Sequence, residues 1–295
     1  MPELPDVALY VERLDSIFRD RPLRRLRVAS PWVLRTVEPR PADLEGRHLR
    51  GVRRIGKRIV LEFDGEHFVV IHLMVAGRLR LRDRDAAIPK RRGLAALDFP
   101  EHTVLLTEEG STKRASIHIV RGEDGLAEHD RGGVEPLTAS AAAFAEALRR
   151  ERHTLKRSLT DPRLFSGIGG AYADEIMHRA RLSPTAHSHR LDDDEVARLH
   201  GATVAVLTEW VDRLRAAIGE GFPEKVTAFH PEMAVHGKFG RPCPVCEAPV
   251  QRIRYADNET NYCARCQTGG TILADRALSR LLKDDRPRTL DEVDD

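Results

Sequence analysis

At 295 residues the chain is long enough for two domains that each bury a core. With 41% hydrophobic and 32% charged residues it reads as a soluble globular protein; no apolar run approaches the ~18 residues of a membrane span, and the acidic N-terminus has no signal-peptide pattern, so a cytosolic or nucleoid-associated place is expected. The net charge of +2 hides an asymmetry: residues 1–60 carry 14 Lys/Arg against 8 Asp/Glu, and residues 284–295 carry 6 acids against 2 bases. That basic surplus fits either a polyanionic partner such as nucleic acid or a solvated arginine-rich face.

The chain opens Met1-Pro2-Glu3-Leu4-Pro5-Asp6. A small residue after the initiator methionine permits its removal, which leaves the secondary amine of Pro2 at the terminus. An α-amino group titrates near ~7.7–8.0, so a useful fraction is nucleophilic at neutral pH. Such an amine can attack an aldehyde-like carbon, with Glu3 and Asp6 near enough in sequence to move the protons. The alternative is an extended, solvated start. Residues 7–20 place Val7, Tyr10, Val11, Leu14, Ile17 and Phe18 at helical spacing, and an amphipathic helix there would hold the terminus still. From residue 23 the period changes to two. Runs at 23–29, 47–53, 58–64, 67–73, 77–82, 93–98, 103–107 and 115–120 predict eight short strands in a sandwich or barrel.

Residues 121–136 hold four glycines and no period, and read as a linker. Helices are then predicted over 138–151, 153–160, 171–180, 192–201 and 203–219, with Asp192 to Glu195 charging an N-terminal turn rather than binding metal. Gly167-Ile168-Gly169-Gly170 precedes the 171–180 helix and follows the one carrying Lys156 and Arg157. This is either a tight turn or a place where phosphate meets free N–H groups. Cys243-Pro244-Val245-Cys246 and Cys263-Ala264-Arg265-Cys266, the only cysteines, are two CxxC knuckles flanking a hairpin. Four thiolates close a tetrahedral shell on one Zn²⁺ and leave no open position, so the metal is structural. Arg252 and Arg254 share a face of that hairpin, for DNA phosphates or for solubility. Histidines 67, 72, 230 and 236 match no metal-ligand spacing and read as packing or phosphate contacts. A helix at 272–283 and an acidic, disordered end complete the chain.

Together these pieces resemble the formamidopyrimidine-DNA glycosylase and endonuclease VIII family over about residues 1–267. Met1 to Pro5 matches the family start, Gly56-Lys57 its lysine loop and His72-Leu73 through Gly77 its void-filling loop. Lys156 and Gly167 through Glu175 match its helix-two-turn-helix element, and Tyr262 to Gln267 the end of its zinc finger. The resemblance implies an α+β fold: an N-terminal β-sandwich domain with a leading helix (1–120), the linker (121–136), a helix-two-turn-helix domain (137–230), a zinc finger (231–270) and a tail (271–295). It implies a monomeric base-excision-repair enzyme on damaged DNA, with glycosylase and β,δ-eliminating abasic-site lyase activities through a Schiff base at Pro2. Glu3 would be acid and base, Lys57 the phosphate or leaving-group contact and Asp6 a further carboxylate. Lys156, Gly169, Gly170, Tyr172, Met74, Val75, Arg114, Arg252, Arg254 and Asn258 would meet DNA.

Five positions depart from the family pattern. Asp6 stands for Glu, Gly170 for a phosphate-gripping Asn, and Asn258 for an Arg that clamps the phosphates beside the lesion. Met74-Val75-Ala76 replaces the usual loop, leaving Met74 or Val75 as the plug, and Lys113-Arg114-Ala115-Ser116 lacks an aromatic wedge. A second reading, a non-catalytic damaged-DNA-binding protein that keeps the fold, follows from these losses.

Overall fold

The computed structural model describes residues 1–110, 112–255, 258–273, 288–290 and 292. They fall into two compact units, Met1–Arg131 with Trp210–Ala228, and Gly132–Glu209 with Phe229–Asp295.

In the first unit α1 (Leu4–Phe18) begins three residues before the apolar period does. Pro5 fits the first turn, where no N–H is needed, and Glu3 and Asp6 form a reciprocal capping box. Its apolar stripe, Val7, Tyr10, Leu14 and Phe18, is buried. Eight strands follow, close to the predicted spans: β1 (Arg25–Val28), β2 (Leu49–Ile55), β3 (Arg58–Phe63), β4 (His67–His72), β5 (Gly77–Asp83), β6 (Gly93–Asp98), β7 (His102–Glu108) and β8 (Ser116–Arg121). They pair antiparallel as two four-stranded sheets, β1-β6-β7-β5 and β2-β3-β4-β8. One apolar core joins Leu26, Leu97 and Leu106 of the first sheet to Ile59, Val69 and Ile117 of the second. This is the sandwich that the period-two runs predict.

Part of the stretch read as linker is structured: Gly122–Ala127 form the short helix α2. Its single apolar anchor, Leu126, packs on Val60, Phe68 and Val70 of the second sheet. One anchor makes no period, so the sequence signal was absent.

The second unit contains α3 (Ala141–Arg149), α4 (Leu155–Thr160) and α5 (Gly170–Ala180). The helices predicted at 192–201 and 203–219 are one element, α6 (Asp193–Ile218). Gly201 costs a helix interior roughly 1 kcal/mol, and the apolar positions Val196, Leu199, Val206 and Leu207 continue across it in register. Asp192 and Glu195 cap α6 reciprocally: Glu195 N donates to Asp192 Oδ1 at 2.8 Å and Asp192 N to Glu195 Oε2 at 3.2 Å. The finger hairpin is β9 (Val250–Tyr255) with β10 (Asn258–Cys263), followed by α7 (Ala264–Thr268).

Most of the predicted 272–283 helix and of the acidic end lies outside the described residues. The described part of the tail is ordered against the finger. Ile272 N donates to Arg288 O at 2.8 Å, Leu290 N to Gly270 O at 3.1 Å, and Leu290 is buried with Val250 and Tyr262.

The loop from β4 to β5 crosses between sheets in four residues and closes with Gly77 N donating to Leu73 O at 2.9 Å. A Cβ on Gly77 would stand 2.2 Å from that oxygen. Gly77→Ala is therefore expected to destabilise the first unit by roughly 1–3 kcal/mol, the cost of overpacking, read as a lower urea midpoint. An unchanged midpoint would contradict this turn.

Candidate active site and metal centre

The N-terminus is held by α1. Glu3 is its N-cap and Asp6 its third residue; Glu3 N–H donates to Asp6 Oδ2 at 2.9 Å, and Val7 N donates to Glu3 O at 2.9 Å. Both carboxylates are about 3% exposed, and Pro2 is buried beside them. Burial lowers the pKa of the Met1 α-amine, with Glu3 and Asp6 opposing and Arg78 and Lys57 assisting. Burial raises Asp6 to about 7, against the Glu3 N–H it accepts and with the Glu3 charge in support. Lys57 follows the left-handed Gly56 in the β2–β3 turn, and burial lowers its pKa although Glu3 pulls upward. The terminal amine, Glu3, Asp6 and Lys57 thus share one electrostatic neighbourhood, in which Asp6 exchanges its proton near neutral pH.

Arg78, which the sequence reading missed, belongs to that neighbourhood. It opens β5 and spends its guanidinium on main-chain oxygens, Nε to Val226 O at 2.8 Å and one terminal nitrogen to Gly77 O at 2.7 Å and Val75 O at 3.2 Å. It therefore fixes the adjoining Leu73–Gly77 turn. Within the turn Met74 takes a left-handed conformation at φ 54° and is half-buried, while Val75 is 57% exposed. Val75 is the projecting side chain.

Arg114 is exposed, on a loop whose backbone is gripped by Glu108. That carboxylate, 1% exposed, accepts from Arg114 N at 2.8 and 3.0 Å and from Ala115 N at 3.2 Å. Glu108 was not singled out from sequence, because a Glu at a strand end carries no sign of what it will cap.

In the second unit Gly169 is the N-cap of α5 and Gly170 its first residue. Lys156 spends two of its three N–H donors within the unit: Nζ donates to Asp174 Oδ1 at 2.5 Å and to Gly170 O at 2.6 Å. Asp174 is fully buried and needs a counter-charge there. Its other oxygen accepts from His236 Nδ1 at 2.8 Å and from Asn261 N at 3.2 Å. Glu175, next in sequence, accepts three backbone N–H groups, from Ala234 at 2.8 Å and from Val235 and His236 at 2.9 Å. The Tyr172 ring is buried within the helix packing, not presented to solvent.

The four cysteine sulfurs all lie within 4.8 Å of one another. Cys246 Sγ lies 3.4 Å from both Cys263 Sγ and Cys266 Sγ, and Cys243 Sγ lies 3.9 Å from Cys266 Sγ, against about 3.8 Å for the edge of a tetrahedron with Zn–S of ~2.3 Å. Backbone N–H groups of Val245 and Cys266 approach Cys243 Sγ and Cys263 Sγ at 3.5 Å, and the His178 ring lies 3.3 Å from Cys243 Sγ. The donor set fits one structural Zn²⁺, with His178 orienting a ligand from behind. Arg252 and Arg254 both turn to Glu259 of β10, at 3.8 and 3.2 Å, and the Arg252 guanidinium lies 4.1 Å from the centre of the Phe239 ring. Asn258 pairs through its backbone with Tyr255 at the hairpin end.

Three family models match in chain order: the formamidopyrimidine-DNA glycosylase N-terminal domain over residues 1–113, the H2TH domain of the same proteins over 133–219, and the zinc finger found in FPG and IleRS over 240–269. The formamidopyrimidine-DNA glycosylase of Moorella thermoacetica is 32% identical over 278 residues, 86% of this chain and 95% of the relative. That of Thermus thermophilus is 32% identical over 280 residues, 92% of this chain and all of the relative. Among solved structures, Lactococcus lactis Fpg in complex with DNA containing an abasic site superposes with a TM-score of 0.80 at 22% identity, covering 90% of this chain and 99% of that one. MutM in complex with DNA containing carbocyclic 8-oxo-G gives 0.80 at 24% identity, covering 90% and 100%. Sequence relatives along nearly its whole length and a shared three-part architecture make this chain a member of the formamidopyrimidine-DNA glycosylase family.

Proposed function

We propose that this chain is a base-excision-repair DNA glycosylase with abasic-site lyase activity, acting through the amine of Pro2 once Met1 is removed. The observation that carries the reading is the buried Pro2 at the start of a capped helix, with the buried Glu3 and Asp6 carboxylates beside it. An amine that sheds its proton near neutral pH is a nucleophile, and a rigid anchor removes the entropy of finding the target. The amine attacks C1′ of a nucleotide turned out of the stack, the bond from C1′ to the base breaks, and the base departs with a proton. Glu3 protonates the sugar ring oxygen as the ring opens to the iminium. The cationic iminium acidifies the neighbouring C2′ hydrogen, so weak bases suffice to expel the phosphates in turn. Lys57 meets the adjoining phosphate. Val75 fills the space that the nucleotide leaves, at a cost of a few kcal/mol for unstacking. Relatives named as glycosylases and a fold shared with DNA-bound Fpg support the same reading.

The second reading, binding to damaged DNA without turnover, is favoured by one observation: Lys156 is paired with the buried Asp174, and Gly170 offers no side chain beside it. The missing grip is restorable. A Cβ on Gly170 would meet only Lys156 Nζ, at an ordinary 3.8 Å.

Three outcomes are expected. Borohydride traps protein beginning at Pro2 on an abasic-site oligonucleotide; retained Met1 abolishes the complex, and Glu3→Gln slows its formation by roughly 10²–10⁴-fold, the usual worth of a positioned proton donor. A trap indifferent to Met1 would refute the nucleophile, and no trap despite DNA binding would favour the second reading. Gly170→Asn tightens abasic-site DNA by about tenfold in a fluorescence titration, one hydrogen bond to a charged group, and unchanged affinity would exclude a phosphate at the start of α5.

The third concerns pH. The Asp6 proton is held to about 7 in the fold against 3.8 for an ordinary aspartate. The native state binds the extra proton in that window, so the stability Asp6 contributes is fully present below about 3.8 and is lost as pH rises through about 7. Asp6→Asn keeps an acceptor for Glu3 N–H but cannot ionise. Its urea midpoint should gain on the wild type between about pH 4 and about pH 7, and parallel curves would show that Asp6 titrates normally.

A further inference from the structure

The outer face of the β2-β3-β4-β8 sheet is divided in two. Along β3, β4 and β8 the side chains alternate, and Ile59, Ile71 and Ile117 point into the sandwich core. Arg58, His72 and His118 therefore project outward, Arg58 directly opposite His72 and His118 opposite Val70. One end of this face is apolar and covered by Leu126 of α2. The other end collects cations. His129, just after α2, brings its ring to 4.7 Å from that of His118 at 63° between planes. Arg35 follows Leu34, which bridges to Ile117 on β8.

These groups act on one another: Arg58 on His72, His118 and His129, Arg35 on His118, and Arg131 on Arg58 and His129. Glu128 and Asp130 oppose them, at His129 and Arg58 respectively. Burial, then mutual repulsion, holds His72 and His118 at about 4 and lowers His129 and Arg58. His118 Nδ1 is buried without a hydrogen-bond partner. An outward sheet face that gathers Arg58, His72, His118 and His129 is complementary to an anion with several acceptor oxygens. Lys57, adjacent to Arg58, also acts on His72, so the cluster is electrostatically continuous with the candidate active site.

We propose that Arg58, His118 and His129, assisted by Arg35 and Arg131, form a phosphate-binding site that takes a second phosphodiester of DNA beyond the one at Lys57. The proposal rests on the DNA reading above. From β3 across β4 to β8 is two inter-strand steps, roughly 10 Å, enough to separate this phosphate from the first.

The experiment is a salt titration of binding to abasic-site duplex by wild type and by His118→Asn/His129→Asn. Loss of one phosphate contact should reduce the slope of log K against log salt by about 0.9, and Arg58→Gln should reduce it similarly. An unchanged slope in the variants overturns the proposal. A measurement on wild-type protein does not depend on the variants folding: imidazole ¹⁵N spectra, in which duplex should move His118 and His129 toward the protonated position. No movement with duplex overturns the proposal. Movement with inorganic phosphate but not with duplex also overturns it, in favour of a small-anion site. Borohydride trapping of the same wild-type preparation reads the Pro2 chemistry independently, so the two readings fail separately.

Discussion

A carboxylate withdrawn from water must be given donors or a counter-charge, and this requirement holds each working part of the chain in place. At the start of α1, Glu3 and Asp6 satisfy each other's segment by the reciprocal cap. In the β7–β8 loop the buried Glu108 collects the amides of Arg114 and Ala115. In the second unit Asp174 takes Lys156, His236 and the Asn261 amide, and Glu175 takes three successive amides before the zinc finger. Loops carry few apolar contacts of their own. A buried acid that accepts two or three N–H groups fixes such a loop where packing cannot.

The same requirement explains which parts were legible in the sequence. All eight strands and the body of α1 declared themselves through local period, which needs only neighbours in sequence; the Glu3–Asp6 cap that starts α1 three residues earlier did not. The zinc shell did so too, since the CxxC spacing is itself the geometry of a knuckle. What stayed hidden depends on pairs remote in sequence: Lys156 with Asp174 across 18 residues, Asp174 with His236 across 62, Arg78 with Val226 across 148. Lys156 looked like a free base beside a glycine turn, and only the fold shows that a buried acid has claimed its charge. Tyr172 read as a contact because it sits in the glycine motif, yet its ring fills the helix interior.

α2 and the unbroken α6 mark the limits of pattern reading from the two sides. α2 is a helix with one apolar anchor, too little for a period, and it forms because the outer face of the second sheet offers Leu126 a place. Gly201 suggests a break that does not occur, because the apolar stripe around it outweighs a cost of roughly 1 kcal/mol. In both cases tertiary burial overrides local propensity.

The Asp6 position shows why a shorter carboxylate is compatible with the site. An aspartate one turn into α1 reaches back only to the Glu3 N–H, so it stays within the helix cap and inside the buried zone. Burial there holds its proton to about 7, while the Glu3 charge acts on the terminal amine and on Lys57. One helix start thereby brings the Asp6 carboxyl into the neutral range. Under the proposed chemistry, in which an amine loses a proton and a leaving group gains one, an acid that titrates there is suited to carry it.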